Sequence, residues 1–262
     1  MIAVSLIIIS LIPGFDFWSV RRLFIRTCQC PSGGHTLKYT ITGDTLQFAN
    51  IELQPGETIR ATPGNMKYMS GNTRMETSMD GGLWKGLKRS VSGASLFLVT
   101  FATEGGTGMV GLGGNVPGKI IDLKVVPGKN WILQRSAYIA SQPTVDIDIA
   151  FQKKLGSMFF GGEGLILQRI SGSGVAWAAA CGDFNVVDLK PGEIYKVSTA
   201  NAVGWEESVK YDISSVGGVK NVLFGGEGLF VTTLTGPGKI IIQSMTVGEL
   251  AMSIVPYLPN KG

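Results

Sequence analysis

The sequence is short of the residues that most chemistry needs. Its 262 residues include one histidine, His35, and three cysteines, Cys28, Cys30 and Cys181. A single histidine removes most imidazole metal sites, general-base mechanisms and triads. Three thiols are an odd number and no disulfide framework at this length, so reduced thiols are expected. Charged residues reach 16%, against about 25% in an average chain. The net charge is +4, and residues 1–36 hold Arg21, Arg22 and Arg26 against Asp16, leaving +2 for the remainder. That is no stripe for a polyanion, and nucleic acid is not an expected partner. Long apolar runs are absent too. The longest covers residues 2–12 and ends at Pro13, well short of the ~20 residues of a spanning helix.

That first segment lacks the basic start and small-residue exit of a cleaved signal, and the Arg- and Ser-rich character of a mitochondrial presequence. It reads as a short membrane-associating anchor, a packed extension, or translated sequence upstream of the true start. The fold proper is expected to begin near Leu37. The expected location is cytoplasmic, with membrane association through the apolar run as the alternative.

What is plentiful is glycine, 37 residues, together with 44% apolar residues. High apolar content with low charge excludes disorder, and the glycines show no three-residue period, which excludes collagen. The pattern L-x-P-G-E/K occurs as LQPGE (53–57), LKPGE (189–193) and, more loosely, VVPGK (125–129). The prolines stand at 55, 127 and 191, at intervals of 72 and 64 residues. Each is followed by a short alternating segment: TRMETSM (73–79), TVDIDI (144–149) or SVKYDI (208–213). A period of two with β-branched residues predicts half-buried strands.

A second frame, F-G-G-E-G-L, recurs at 160–165 and 224–229, again 64 residues apart, with a weaker copy at 92–108. The glycine pairs at 81–82, 105–106, 113–114, 161–162, 217–218 and 225–226 fall between strands, where tight turns call for positive φ. Such self-similarity predicts an all-β chain of three tandem sandwich- or barrel-like repeats. The expected divisions are an extension over 1–36, repeats over 37–92, 93–158 and 159–222, and a closing hairpin and helix over 223–262. The helix is read in TVGELAMSIV (246–255): Thr246 and Glu249 have capping-box spacing, and Pro256 stops it.

Candidate chemistry is thin. GGNVPGK (113–119) fits a phosphate-loop spacing, but Ile120 stands where a hydroxyl must meet magnesium, and a strand pattern follows. GLGGNV (111–116) lacks the third glycine of a dinucleotide fingerprint. Cys28, Cys30 and His35 supply three ligands where zinc wants four. Asp146 and Asp148 share one strand face, where a solvated surface is expected. Glu163 and Glu227 recur inside glycine turns, which points to a turn role. Trp131, Trp177 and Trp205 lie in strand patterns and are expected as core or interface anchors. No catalytic residue, metal or cofactor is expected. The candidate interaction residues are Trp84, Lys85, Lys88 and Arg89, a short basic amphipathic stretch that suits an anionic membrane surface or a phosphate backbone. Peripheral membrane contact is assigned to residues 1–20 or 83–91.

EGGTGMVGLGGNVPGKIIDL (104–123), WEESVKYDI (205–213), LFGGEGLF (223–230) and TGPGKIIIQS (235–244), in this order, resemble the altered-inheritance-of-mitochondria (mitochondrial biogenesis) family from about Leu37 to Ser253. Residues 1–36 depart from its pattern. The resemblance implies a duplicated β fold like the tryptophan RNA-binding attenuator protein, a double-stranded β-helix. It further implies three units per chain, a trimeric or ring-like homo-oligomer and no established enzymatic activity. The expected function is a non-catalytic scaffold or interaction module, with a ligand- or RNA-binding regulatory module as the alternative by fold analogy. Two topologies stay open: the leftover first and last units pair and close a disc, bringing residues near 40 and 245 together, or the last hairpin caps an open row.

Overall fold

The computed structural model describes residues 37–77, 98–153, 164–215 and 230–258. The apolar run and Cys28, Cys30 and His35 lie outside these residues, as do Trp84, Lys85, Lys88, Arg89, Glu163 and Glu227.

Turn chemistry sets the strand breaks. At 54–57, 126–129 and 190–193 the fourth residue's N–H donates to the first residue's carbonyl at 2.9, 2.9 and 3.0 Å. Proline occupies the second position and glycine the third, with φ of +88° at Gly56, +82° at Gly128 and +79° at Gly192. This is type II geometry, whose third residue must be left-handed. The Glu57 and Glu193 carboxylates also accept from the N–H groups of Gln54 and Lys190, at 2.8 and 2.9 Å.

The chain is mostly strand and forms four antiparallel sheets. The first, in spatial order, is β1 (Lys38–Thr42), β2 (Phe48–Leu53), β7 (Gly108–Gly113) and β4 (Met66–Met69). The second is β5 (Thr73–Thr77), β6 (Val99–Thr103), β3 (Thr58–Ala61), β10 (Tyr138–Ser141), β13 (Gly174–Cys181) and β8 (Gly118–Val125). The third is β11 (Val145–Lys153), β12 (Leu165–Gly172), β9 (Trp131–Gln134), β16 (Ala202–Glu206), β19 (Gly238–Gln243) and β14 (Phe184–Leu189). The fourth is β15 (Ile194–Ser198), β18 (Phe230–Thr235) and β17 (Lys210–Ser215).

Three core clusters lie between successive sheets. The first draws Ile51, Phe101, Leu112 and Trp177 from the first and second sheets. The second draws Leu123, Ala176, Leu133 and Ile241 from the second and third, and the third draws Leu167, Trp205, Leu234 and Ile240 from the third and fourth. The central strands of the two inner sheets are therefore buried on both faces, which explains their unbroken apolar runs. In VAWAAAC, Val175 and Trp177 enter the first cluster while Ala176, Ala178 and Ala180 enter the second. Glutamines stitch neighbouring sheets: the amide oxygens of Gln47 and Gln243 accept from the N–H groups of Ile120 and Cys181, each at 2.8 Å.

Register shifts fall between Met66 and Tyr68, Tyr138 and Ala140, and Ala202 and Gly204. The extra residues, Lys67, Ile139 and Val203, repeat the 72- and 64-residue intervals of the prolines. Closure through residues 40 and 245 is not formed. Thr40 pairs with Asn50 in β2, while Ser244 donates its N–H to the Asp183 carbonyl at 2.8 Å, and no strand pairing joins the two segments.

The terminal helix α1 (Val247–Ile254) has the expected capping box: the Thr246 hydroxyl accepts from Glu249 N–H at 3.0 Å, and the Glu249 carboxylate accepts from Thr246 N–H at 2.6 Å. Pro256 does not stop the chain's winding; it sits inside a 3-10 turn, Val255–Tyr257, that continues it. No residue of α1 is buried. Among the described residues no helix is long and apolar enough to cross a membrane.

Candidate functional site

The outer face of the first sheet carries an unusual set of side chains. Alternation along β2 sends Ala49, Ile51 and Leu53 into the core and leaves Phe48, Asn50 and Glu52 outside. The bulge in β4 brings Lys67 and Tyr68 onto the same outer face. Tyr68 lies across Gly111, whose missing Cβ makes room for the ring. Its hydroxyl donates to Asn50 Oδ1 at 2.6 Å, and its ring centroid is 6.3 Å from that of Phe48. The face is thus an aromatic pair on a glycine floor, held by one hydrogen bond.

Beside it opens a cleft of about 540 Å³, lined by Leu46, Phe48, Val116 and the lysines 67 and 119. The loop GGNVPGK forms one wall. The loop runs directly into β8, and no helix begins there. The glycine pair 113–114, expected at a positive-φ turn, shows no left-handed φ. It provides space instead: a Cβ on Gly113 would lie 3.1 Å from the Lys67 stem, and one on Gly114 would lie 3.2 Å from the Ala179 Cβ. Gly106, with φ of +63°, does serve a turn.

The two lysines differ in charge balance. Lys119 is 3.0 Å from Asp44 and 3.8 Å from Asp183. Lys67 donates to Asn115 Oδ1 and to the Gly64 carbonyl, both at 3.2 Å, and meets no carboxylate among the described residues. An uncompensated ammonium beside apolar walls can hold an anionic group attached to an apolar body.

Titrating groups elsewhere have structural partners. The Arg169 guanidinium hydrogen-bonds Glu207 at 2.6 and 3.1 Å, and Asn130 adds a bond at 2.7 Å. These bonds hold the Glu207 carboxyl below its ordinary value and raise Arg169. Burial pushes the Cys181 thiol up, and the negative charge of Glu249 adds to this. Cys181 is a free, buried cysteine. Among the described residues no group of three or more His, Cys, Asp or Glu side chains could hold a metal ion. Trp131, Trp177 and Trp205 are core residues, at 8%, 0% and 1% exposure.

Sequence reasoning therefore placed its candidate surface, Trp84 to Arg89, in a segment outside the described residues, and missed Phe48, Lys67 and Tyr68. The signal was available. Counting from Pro55, Pro127 and Pro191 sets Phe48 in register with Ile120 and Phe184, and Lys67 with Ile139 and Val203.

Comparison with known proteins gives three findings. The family model described as "Mitochondrial biogenesis AIM24" matches residues 39–245. An uncharacterised protein of Streptococcus pyogenes serotype M6 is 30% identical over 234 residues, covering 86% of this chain and 92% of that protein. A crystal structure of a Streptococcus pyogenes protein matches with a TM-score of 0.70 and 27% identity, over 85% of this chain and 100% of that one.

Proposed function

The chain belongs to the mitochondrial biogenesis AIM24 family, and from that premise we propose that it is a non-catalytic interaction module that assembles with copies of itself. It is built from three copies of one β unit, arranged as in the attenuator protein. The shared intervals of the Pro-Gly turns and of the strand bulges support this matching of positions.

One observation carries the assembly. On this matching, Phe48, Ile120 and Phe184 occupy a single position in the unit. Ile120 is 4% exposed in the first cluster, and Phe184 packs against the second, whereas Phe48 is 38% exposed. The bulge residues follow suit: Ile139 and Val203 are buried, Lys67 is exposed. A face that packs against the preceding unit twice thus stands open in the first unit. An exposed aromatic patch of this kind marks an interaction surface, and another copy supplies the covering unit. Helix α1 and the 3-10 turn after it add Val247, Met252, Ile254 and Val255, all exposed.

Native mass spectrometry of the full chain at micromolar concentration tests this. A trimer or larger ring is expected, shifting towards monomer in Phe48→Ser. A wild-type protein that flies only as a monomer overturns the reading.

A further inference from the structure

We propose that the assembly is made by strand addition: β15 at the open edge of one chain's fourth sheet pairs with β4 at the open edge of the next chain's first sheet. This rests on the self-assembly reading above and specifies its joint.

The chain makes that joint twice within itself. β3, β9 and β15 each begin directly after a Pro-Gly turn, and β4, β10 and β16 each carry the bulge. β3 pairs with β10 in the second sheet, and β9 pairs with β16 in the third. The remaining members of the two sets are separated. Among the described residues β15 pairs only with β18 and β4 only with β7, so each is an edge strand. An edge presents a row of backbone donors and acceptors that another strand can use. The two edges lie in the first and fourth sheets with two six-stranded sheets between them, which favours a second copy over the same chain.

Register follows from the joints already made. Ala61 faces Ala140 and Arg60 faces Ser141 at the first; Leu133 faces Gly204 and Ile132 faces Trp205 at the second. Carried forward by the repeat intervals, Val197 faces Tyr68 and Lys196 faces Met69. Exposure agrees with a missing partner. Ser141 and Trp205 are 0% and 1% exposed, whereas Met69 is 39% exposed; Ile59 and Trp131 are 0% and 8%, whereas Tyr195 is 39%. At the first joint the Arg60 guanidinium also reaches across to the Pro143 carbonyl at 2.8 Å, and Lys196 holds a cation at the matching position. The contact is head-to-tail, so copies add until a ring closes.

Charge at one position tests the register. Met69→Lys sets like charges opposite one another with Lys196, whereas Met69→Glu sets opposite charges there. In sedimentation equilibrium of the full chain, Met69→Lys is expected to weaken self-association roughly fivefold, and Met69→Glu to leave it unchanged or tighten it. Directly opposed residues in an antiparallel pair also lie within disulfide reach. A Met69→Cys, Lys196→Cys chain, with Cys28 and Cys30 changed to serine, should therefore oxidise to a ladder of linked copies on a denaturing gel. Equal weakening by both charge variants, a disulfide confined to one chain, or no disulfide at all overturns the edge pairing. If wild type assembles while these tests fail, only the joint is wrong. A monomeric wild type removes the assembly itself.

Discussion

The first and fourth sheets end the molecule in the same strand grammar and with opposite surfaces. Alternation places Phe48, Asn50 and Tyr68 outward on the first, above Gly111, and Lys196, Lys210 and Asp212 outward on the fourth. Period two says only which residues leave the core. The two outer faces differ in residue type: charge and hydroxyl groups beside Ile194 on the fourth sheet, an aromatic pair over glycine beside Glu52 and Lys67 on the first. Just inward of these faces the two ends converge. Trp177 meets Tyr39 edge-on at 5.2 Å in the first cluster, and Trp205 meets Tyr211 at 5.0 Å in the third.

That comparison is broken first at the cores. Trp177→Ala and Trp205→Ala should each cost ~3–5 kcal/mol in urea unfolding, because both empty a fully buried site. A large loss at one and a small loss at the other would mean that the two ends are not built alike. The faces should then separate. Gly111→Ala forces Tyr68 off its seat and breaks its bond to Asn50, for a cost of about 1–2 kcal/mol. Lys210→Ala on the fourth sheet should stay within about 0.5 kcal/mol. The Gly111→Ala, Tyr68→Ala double variant should recover part of the loss; no recovery would sink the assigned role of the glycine.

The smallest effect concerns the ion pair that Arg169 of β12, in the third sheet, makes with Glu207. Glu207 titrates below its unfolded value, so its pairing with Arg169 stabilises the fold above the ordinary carboxyl range near 4.5 and is lost as the pH falls through the lower folded value. Both side chains are more than a third exposed, and screening limits the gain to about 0.5 kcal/mol. Glu207→Gln should lower stability by that amount at pH 7 and converge with wild type at pH 3. A difference that persists undiminished in acid would assign the effect to something other than charge.

Much of this was legible in the sequence because it is local. Pro-Gly followed by Glu or Lys reads as a type II turn since only glycine takes the third position without strain, and Thr246 with Glu249 reads as a cap since both bonds lie within one helical turn. The alternation of Val209, Tyr211 and Ile213 with Lys210 and Asp212 appears in β17 as expected. The site was less legible. Gly113 and Gly114 look like turn glycines in the sequence, but their function is defined by Lys67 and Ala179, which are distant along the chain. Phe48 looks like any outward residue of a half-buried strand until Ile120 is seen to be buried, and Phe184 half-buried, at the positions that match it.

The sequence by itself determined strands, turns and the helix cap, because each depends on φ/ψ preferences and periodicities within a few residues. Tertiary structure alone decided that the apolar runs of β8, β13, β9 and β19 lie between two layers, and that residues 40 and 245 do not meet. It also decided that β4 and β15 end up as edges. These outcomes depend on which strands find one another across loops of many residues, and backbone hydrogen bonds are the same whichever partner makes them. The choice is made by packing: Trp177 in one cluster and Ala176 in the next fit one stacking of sheets.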